Sequence, residues 1–391
     1  MYTLQRAIRV LFLNLENYVD FTQESQNYLL RLPIIHCGLE IEHADYSHQR
    51  DLKTHGIATA DERALEAVRQ FRPDVVVHSH TWRYGDLSPA FFRAVRDMGP
   101  KIVSCIWDTF VFPAWAEIQL FQNADCILIG DSLNTYLRLR SLAAIMKHPV
   151  TIGLCVGQYY IPDPQPPTEE QKVYDVTILG SLFGERLKLA RYLEPRLAER
   201  GIKLHTIGGM YNEEQKELGY RETWLDWDSY AKIIRQSKIC LSSQNDTQRL
   251  RVKGKVFEIA ARGTLCLTDA NRDAQRMLPA DVIPLYTTFE DCFEKICFFL
   301  GRNDLRSEIE RRAQRWVQDN FNSSHFYSGL LRFLVFGEGE CPTASFLDNE
   351  FRLLMQQKHL MLPAAADLVS AHIELLDREG IFPAAKPLGR D

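Results

Sequence analysis

The sequence predicts an α/β protein of two domains, each a parallel sheet covered by helices. Three observations carry this. The 391 residues exceed the ~100–200 typical of one domain. Short runs that are apolar on both faces alternate with longer amphipathic stretches, the pattern of strands buried between layers of helix. The alternation stops at 160–171, which holds Pro162, Pro164, Pro166 and Pro167 among polar residues, and then restarts. Prolines at that density end helix and sheet and make a semi-rigid connector. The expected units are 1–160, 161–335 and a terminal helical segment, 336–391.

The elements follow in order. Residues 8–15 read as a buried strand. Residues 61–71 have helical spacing, with Ala64, Leu65, Val68 and Phe71 on one face, and Pro73 ends that helix. A Val-rich strand at 74–78 precedes a helix at 89–98, a strand at 101–107, a strand at 123–129 and a helix at 132–142. Beyond the connector come a strand at 175–180, a helix at 186–200, and a strand at 203–207 closed by Gly208 and Gly209. A helix at 230–236, a strand at 237–242, a helix at 255–261 and a strand at 264–268 continue the alternation. Helices at 289–300 and 304–320 follow. Residues 355–377 read as helical, interrupted near Pro363, with an apolar face suited to packing on the protein or on a partner.

Composition narrows the class. At 46% hydrophobic and 25% charged, the chain is an ordinary globular one. Its net charge of -5 argues against a nucleic-acid binder that works by broad charge neutralisation. No apolar run approaches the ~18 residues of a membrane span, and no cleavage pattern follows the first one, so a cytoplasmic protein is expected. The nine cysteines are scattered without a CxxC pair. Several, such as Cys105, Cys126, Cys240 and Cys266, sit inside apolar runs, as reduced core residues do.

The segment with most chemistry is 249–269, RLRVKGKVFEIAARGTLCLTD. Arg249, Arg251, Lys253 and Lys255 stand immediately before a helix that carries Glu258, with Gly263 after it. Cations at a helix amino end suit a diphosphate, because free N–H groups and the helix dipole both attract anions. A carboxylate one turn in suits a ribose diol. A solvated basic loop before an ordinary helix is the plain alternative.

The run from Lys255 to Gly263 resembles the (R/K)-x-F-E-x-x-A-x-G block of CgeB-like spore-maturation glycosyltransferases. It is also similar to glycosyltransferase family four, whose block ends E-A-M-A-x-G. YDVTILGS at 174–181 resembles the strand and glycine turn opening the donor domain of those enzymes. PDVVVHSH at 73–80 and ADCILIGDS at 124–132 resemble strands of their amino-terminal domain. The resemblance is dispersed over roughly residues 60–325. It implies the GT-B fold, two Rossmann-like domains with parallel sheets facing a central cleft, with the terminal segment packing back on the first domain. It implies a glycosyltransferase using a nucleotide-sugar as substrate, with no further cofactor. In that scheme Glu258 binds the donor ribose, and Lys255 and Arg251 bind the diphosphate. Gly180 and Ser181 let the backbone approach the phosphates, Arg186 is a further phosphate partner, and Gly208 joins the donor set. The sequence departs from family four at Leu250, where a glutamate usually stands, and at Trp107-Asp108, where a histidine often does.

The first domain then supplies the acceptor side. His80 and Asp108 follow strands and are the candidate catalytic groups, since Asp or His can deprotonate an acceptor hydroxyl. For Asp108 a helix cap is the equal alternative. His78, earlier in its strand, reads as a packed core residue. Asp226 and Asp228 form a DxD pattern just before a helix, with Asp228 read as its cap and Trp224 or Trp227 as core or base-stacking residues. No metal is expected, because a cationic phosphate site takes its place. The acceptor is left open as a glycan, small molecule or protein. The alternative function is a non-catalytic protein of the same fold that binds a nucleotide-sugar or a partner.

Overall fold

The structure is a computed structural model. It describes residues 6–13, 27–79, 87–106, 123–130, 149–161, 165–208, 225–244 and 251–342, with Tyr136, Leu139, Arg140 and Ala143. Two parallel sheets organise it. The first contains β1 (Ile8–Leu13), β2 (Ile41–Tyr46), β3 (Val75–Ser79), β4 (Lys101–Ile106), β5 (Cys126–Ile129) and β6 (Thr151–Leu154) in the order β2-β1-β3-β4-β5-β6. The second contains β7 (Tyr174–Leu179), β8 (Leu204–Ile207), β9 (Ser237–Ser242), β10 (Leu265–Asp269) and β11 (Leu285–Tyr286) in the order β11-β10-β9-β7-β8. β3 and β5 are buried at every position, as strands covered on both faces must be.

Helices α1 (Leu32–Ile35), α2 (His48–His55), α3 (Ile57–Phe71) and α4 (Pro89–Met98) belong to the first sheet. Helices α5 (Gly184–Ala198), α6 (Trp227–Arg235), α7 (Gly254–Ala261), α8 (Arg272–Met277), α9 (Phe289–Leu300) and α10 (Asn303–Asn320) belong to the second. Both sheets reverse direction between their first and third strands, at β1/β3 and at β7/β9. In open parallel sheets, the crevice at the carboxyl ends of the strands flanking such a reversal is where ligands bind.

Several elements differ from expectation. β2 and α2 fall in a stretch without a buried-strand pattern. β2 is an edge strand whose Glu42 and His43 face solvent, so it lacks an apolar run. α6 starts at Trp227 rather than 230, and its cap is Asp226, whose carboxylate accepts from the Ser229 N–H at 2.7 Å. The expected cap, Asp228, instead accepts from the Tyr28 hydroxyl at 3.1 Å. All nine cysteines are free, and seven are buried. No helix among the described residues is long and apolar enough to cross a membrane.

After α10 the chain returns to the first sheet as α11 (Ser323–Phe336). Phe326, Tyr327, Leu330 and Leu331 share one buried cluster with Ile8, Val10, Phe12 and Val103. The Tyr327 hydroxyl donates to the Leu29 carbonyl at 2.5 Å. Residues 343–391, including the helical stretch expected at 355–377, lie outside the described residues.

Candidate nucleotide-binding site

The reversal between β7 and β9 is where the cations collect. Gly180 follows the last residue of β7, at φ +96°, a left-handed conformation that favours glycine. Its backbone N–H donates to the Ile207 carbonyl at 2.6 Å. A Cβ at Gly180 would collide with Lys255 Nζ and come within 3.0 Å of Arg186 Nη1. A Cβ at Gly208 would run into the Gly180 carbonyl and lie 2.8 Å from Ser181 N. The two glycines therefore let the Lys255 ammonium and the end of β8 pack directly on the Gly180–Ser181 backbone.

Arg186, in the first turn of α5, is 2% exposed. It donates from Nη1 to the Ser181 carbonyl and from Nη2 to the Ser243 carbonyl, each at 2.7 Å. It thus ties the loop after β7 to the loop after β9. Burial pulls its pKa down to about 10.

On the facing side, α7 begins after Lys253, which has extended backbone and no capping side chain, and the first turn holds no acidic residue. The amino end of α7 thus has the unfilled N–H groups and positive dipole that attract an anion. Lys255, in that first turn, is partly buried, and burial first, then Arg186, lowers its pKa to about 7. Lys253 is lowered too, by burial and then by Arg186, Lys255 and Arg251. The loop before α7 is braced through the Arg251 carbonyl, which accepts from Gln244 Nε2 at 2.5 Å and Asn271 Nδ2 at 3.1 Å. Asp269, at the end of β10, holds Gln244 N at 3.0 Å and Asn271 Nδ2 at 2.9 Å.

Glu258 lies one turn into α7 and is 1% exposed. Its Oε1 has no hydrogen-bond partner, and its nearest ion pair, with Arg262 Nε, spans 4.0 Å. Burial pushes its pKa up to about 7. A buried carboxylate oxygen without a partner is costly unless a ligand supplies one.

Of the residues named from sequence, Gly180, Ser181, Gly208 and Arg186 meet at the loop after β7, and Lys255 reaches them from α7. Arg251 adjoins this group, entering the charge environment of Arg186 and Lys253. Glu258 is close enough to Lys255 for each to shift the other's proton affinity. His80 and Asp108 lie outside the described residues, as do Leu250 and Trp224. His78 is fully buried on β3, against His48 and Phe92.

Lys253, named from sequence among the cations before α7, joins the group. One feature was missed. Tyr159, in the connector, packs onto α7, so that a Cβ at Gly254 would collide with its hydroxyl. Trp227 lies between Tyr159 and Tyr28, with ring centroids 5.9 Å and 4.4 Å away, so it is held in a stack of rings. Stacked pairs add ~0.5–1.5 kcal/mol each beyond burial.

Residues 186–332 match a family model described as glycosyl transferase-like. No curated protein sequence matches the chain. Among solved structures, S. aureus MnaA in complex with UDP is similar, at 12% identity and a TM-score of 0.54, over 86% of this chain and 99% of that one. Anabaena Alr3699/HepE, in complex with UDP and glucose, is 11% identical with a TM-score of 0.54, over 84% and 99%. A UDP-N-acetylglucosamine 2-epimerase is 13% identical with a TM-score of 0.53, over 86% and 98%. At such identities the likeness establishes the fold, two parallel-sheet α/β domains in the GT-B arrangement.

Proposed function

We propose that this protein is a glycosyltransferase that moves a sugar from a nucleotide-sugar donor to an acceptor, without a metal. The observation that carries the reading is the unbalanced charge at the β7/β9 reversal. Among the described residues, Arg186, Arg251, Lys253 and Lys255 share a charge environment with the carboxylates of Asp269 and Glu258, and Glu258 also has Arg262 beside it. The surplus of cations over carboxylates suits the negative charge of a diphosphate diester. The free amino end of α7 adds backbone donors. The cations take the part a divalent ion plays elsewhere, stabilising charge on the departing nucleoside diphosphate.

In this reading Lys255 and Arg251 bind the diphosphate, Gly180, Ser181 and Gly208 admit it, and Arg186 and Lys253 hold the field. The unpartnered Glu258 oxygen accepts from the ribose. Asp108 and His80 are proposed to act on the acceptor hydroxyl. The matched glycosyl transferase-like segment and the UDP-bound structures of the same fold support the choice of donor class. A donor-isomerising activity is the second reading, since an epimerase shares the fold.

The test is a panel of UDP-, GDP-, ADP- and dTDP-sugars incubated with the full chain and saccharide acceptors in EDTA, with free nucleoside diphosphate and donor isomers both measured. Release of nucleoside diphosphate dependent on acceptor supports transfer. Isomerised donor without acceptor selects the second reading. Transfer lost in EDTA and restored by manganese contradicts the metal-free assignment. No binding of any donor removes the proposal.

A further inference from the structure

Tyr159 belongs to the connector between β6 and β7, not to either sheet, yet it lies against the helix that opens the cation site. Its hydroxyl occupies the space a Cβ on Gly254 would need, and Cζ and Cε2 stand 3.0 Å and 2.9 Å from that position. Gly254 is the first residue of α7. Gly254 and Glu258 are four apart and share one face of the helix. Tyr159 lies along that face, near enough to Glu258 for the carboxylate to influence it.

The ring is fixed in place. It lies parallel to Trp227, at 9° and 5.9 Å, and Trp227 stacks in turn on Tyr28 of the first domain at 4.4 Å. The Tyr28 carbonyl accepts from the Tyr160 N–H at 2.9 Å, and the Tyr28 hydroxyl donates to Asp228 at 3.1 Å. The Tyr159 hydroxyl itself has no hydrogen-bond partner among the described residues. Burial, with Glu258 adding to it, raises its pKa well above the ordinary tyrosine value, so the O–H keeps its proton and is a donor.

Resting on the nucleotide-sugar reading above, we infer that the Tyr159 hydroxyl donates a hydrogen bond to the diphosphate held at the amino end of α7, so that the connector itself supplies a ligand contact. A glycine at 254 is then required so that the hydroxyl reaches the helix end. The contact also links the occupied site, through Trp227, to Tyr28 on the other domain.

The experiment is calorimetric titration of the full chain with UDP and with inorganic pyrophosphate, comparing the wild type, Tyr159→Phe and Lys255→Ala. Tyr159→Phe keeps the ring and its stack and removes only the hydroxyl. It is expected to lose about tenfold to 150-fold in affinity for both ligands, the effect of one hydrogen bond to a charged group, with an unchanged melting temperature. Lys255→Ala reports on the site itself. If Lys255→Ala weakens binding and Tyr159→Phe does not, the inference fails while the site stands. If UDP is weakened and pyrophosphate is not, the hydroxyl does not serve the phosphates and the inference fails. A lowered melting temperature with equal affinities would mark Tyr159 as structural and overturn it. If the wild type binds neither ligand, the site reading falls and this inference with it.

Discussion

Two groups of buried charge lie in the second domain, and they are built differently. In one, Lys172 pairs with Glu310 at 2.6 Å, and Arg306 pairs with Glu169 and reaches Glu310 at 3.6 Å. Two cations meet two carboxylates, and Lys172 also donates to the Gly263 carbonyl at 3.4 Å. Burial pulls Lys172 down and pushes Glu310 up, but each opposes the other's shift. In the other group, at the amino end of α7, Lys253 and Lys255 form no ion pair among the described residues. Cation adjoins cation, and Glu258 keeps an oxygen without a partner. The first group fastens the connector to α10 and balances in charge, although Arg306 Nε and Glu310 Oε1 also lack a hydrogen-bond partner. The second carries a surplus of cations, which the diphosphate of the proposed donor would offset. Buried charge is thus no marker of function by itself; the sign of the imbalance is.

The comparison breaks most visibly at the balanced group. Glu310→Ala leaves Lys172 and Arg306 buried without that carboxylate, and removing one partner of a buried pair costs about 3–5 kcal/mol. Urea unfolding of this variant is expected to show a loss in that range, and a change under about 1 kcal/mol would mean water already screens the group. The opposite behaviour is expected at α7. Lys255→Ala should lose ~1.5–3 kcal/mol of nucleotide affinity. Its melting temperature should hold or rise, because a crowded cation has been removed. A variant that melts lower and binds normally would reverse the assignment.

Smaller effects sharpen the same contrast. Lys255, with its pKa lowered to about 7, loses its proton in the free site as pH rises through neutrality, while Glu258, raised to about 7, gains a negative charge. Both changes oppose a diphosphate. Affinity for a nucleotide-sugar, whose diphosphate diester does not titrate near neutrality, should therefore fall between about pH 6 and about pH 8. A flat calorimetric profile would contradict this.

The smallest effect is on stability. Between 4.5 and about 7 the folded state holds a Glu258 proton that the unfolded chain has released, so stability falls as pH rises. Between about 7 and 10.5 the unfolded chain holds a Lys255 proton that the folded state has released, so stability rises. The pair places a shallow minimum near neutrality. Thermal melts of Glu258→Gln should lose the acidic limb, and curves superimposable on the wild type would count against it.

How much of this was legible in sequence depended on distance along the chain. Arg251, Lys253, Lys255 and Glu258 stand within eight consecutive residues, so cations, helix start and carboxylate could be read together. The glycine closing that block has a packing reason as well: a Cβ at Gly263 would press on Pro166 and Pro167 of the connector, at 3.0 Å and 2.9 Å. Gly180 and Gly208 were legible as strand ends, but their close approach is set by β7–β8 pairing. Lys172 and Glu310 lie far apart in sequence, and nothing local marks either as a partner. Tyr159 gains its place from three segments that meet only in the folded chain. Strand β2 escaped because its edge position tolerates polar Glu42, His43 and Asp45, which leave no apolar run to read.

The return of α11 to the first sheet bears on how the chain is made. Phe326, Tyr327, Leu330 and Leu331 cover Ile8, Val10 and Phe12, yet they are synthesised after the entire second sheet. Among the described residues, the buried cluster around Val176, Leu189, Ile239 and Leu267 draws nothing from before residue 176, so it can close once α10 has emerged. Domains usually fold as units in the order they leave the ribosome. Here the first sheet's apolar face, covered in part by Leu30, Ile34 and Cys37, gains the rest of that cover only when residues 326–334 have been made.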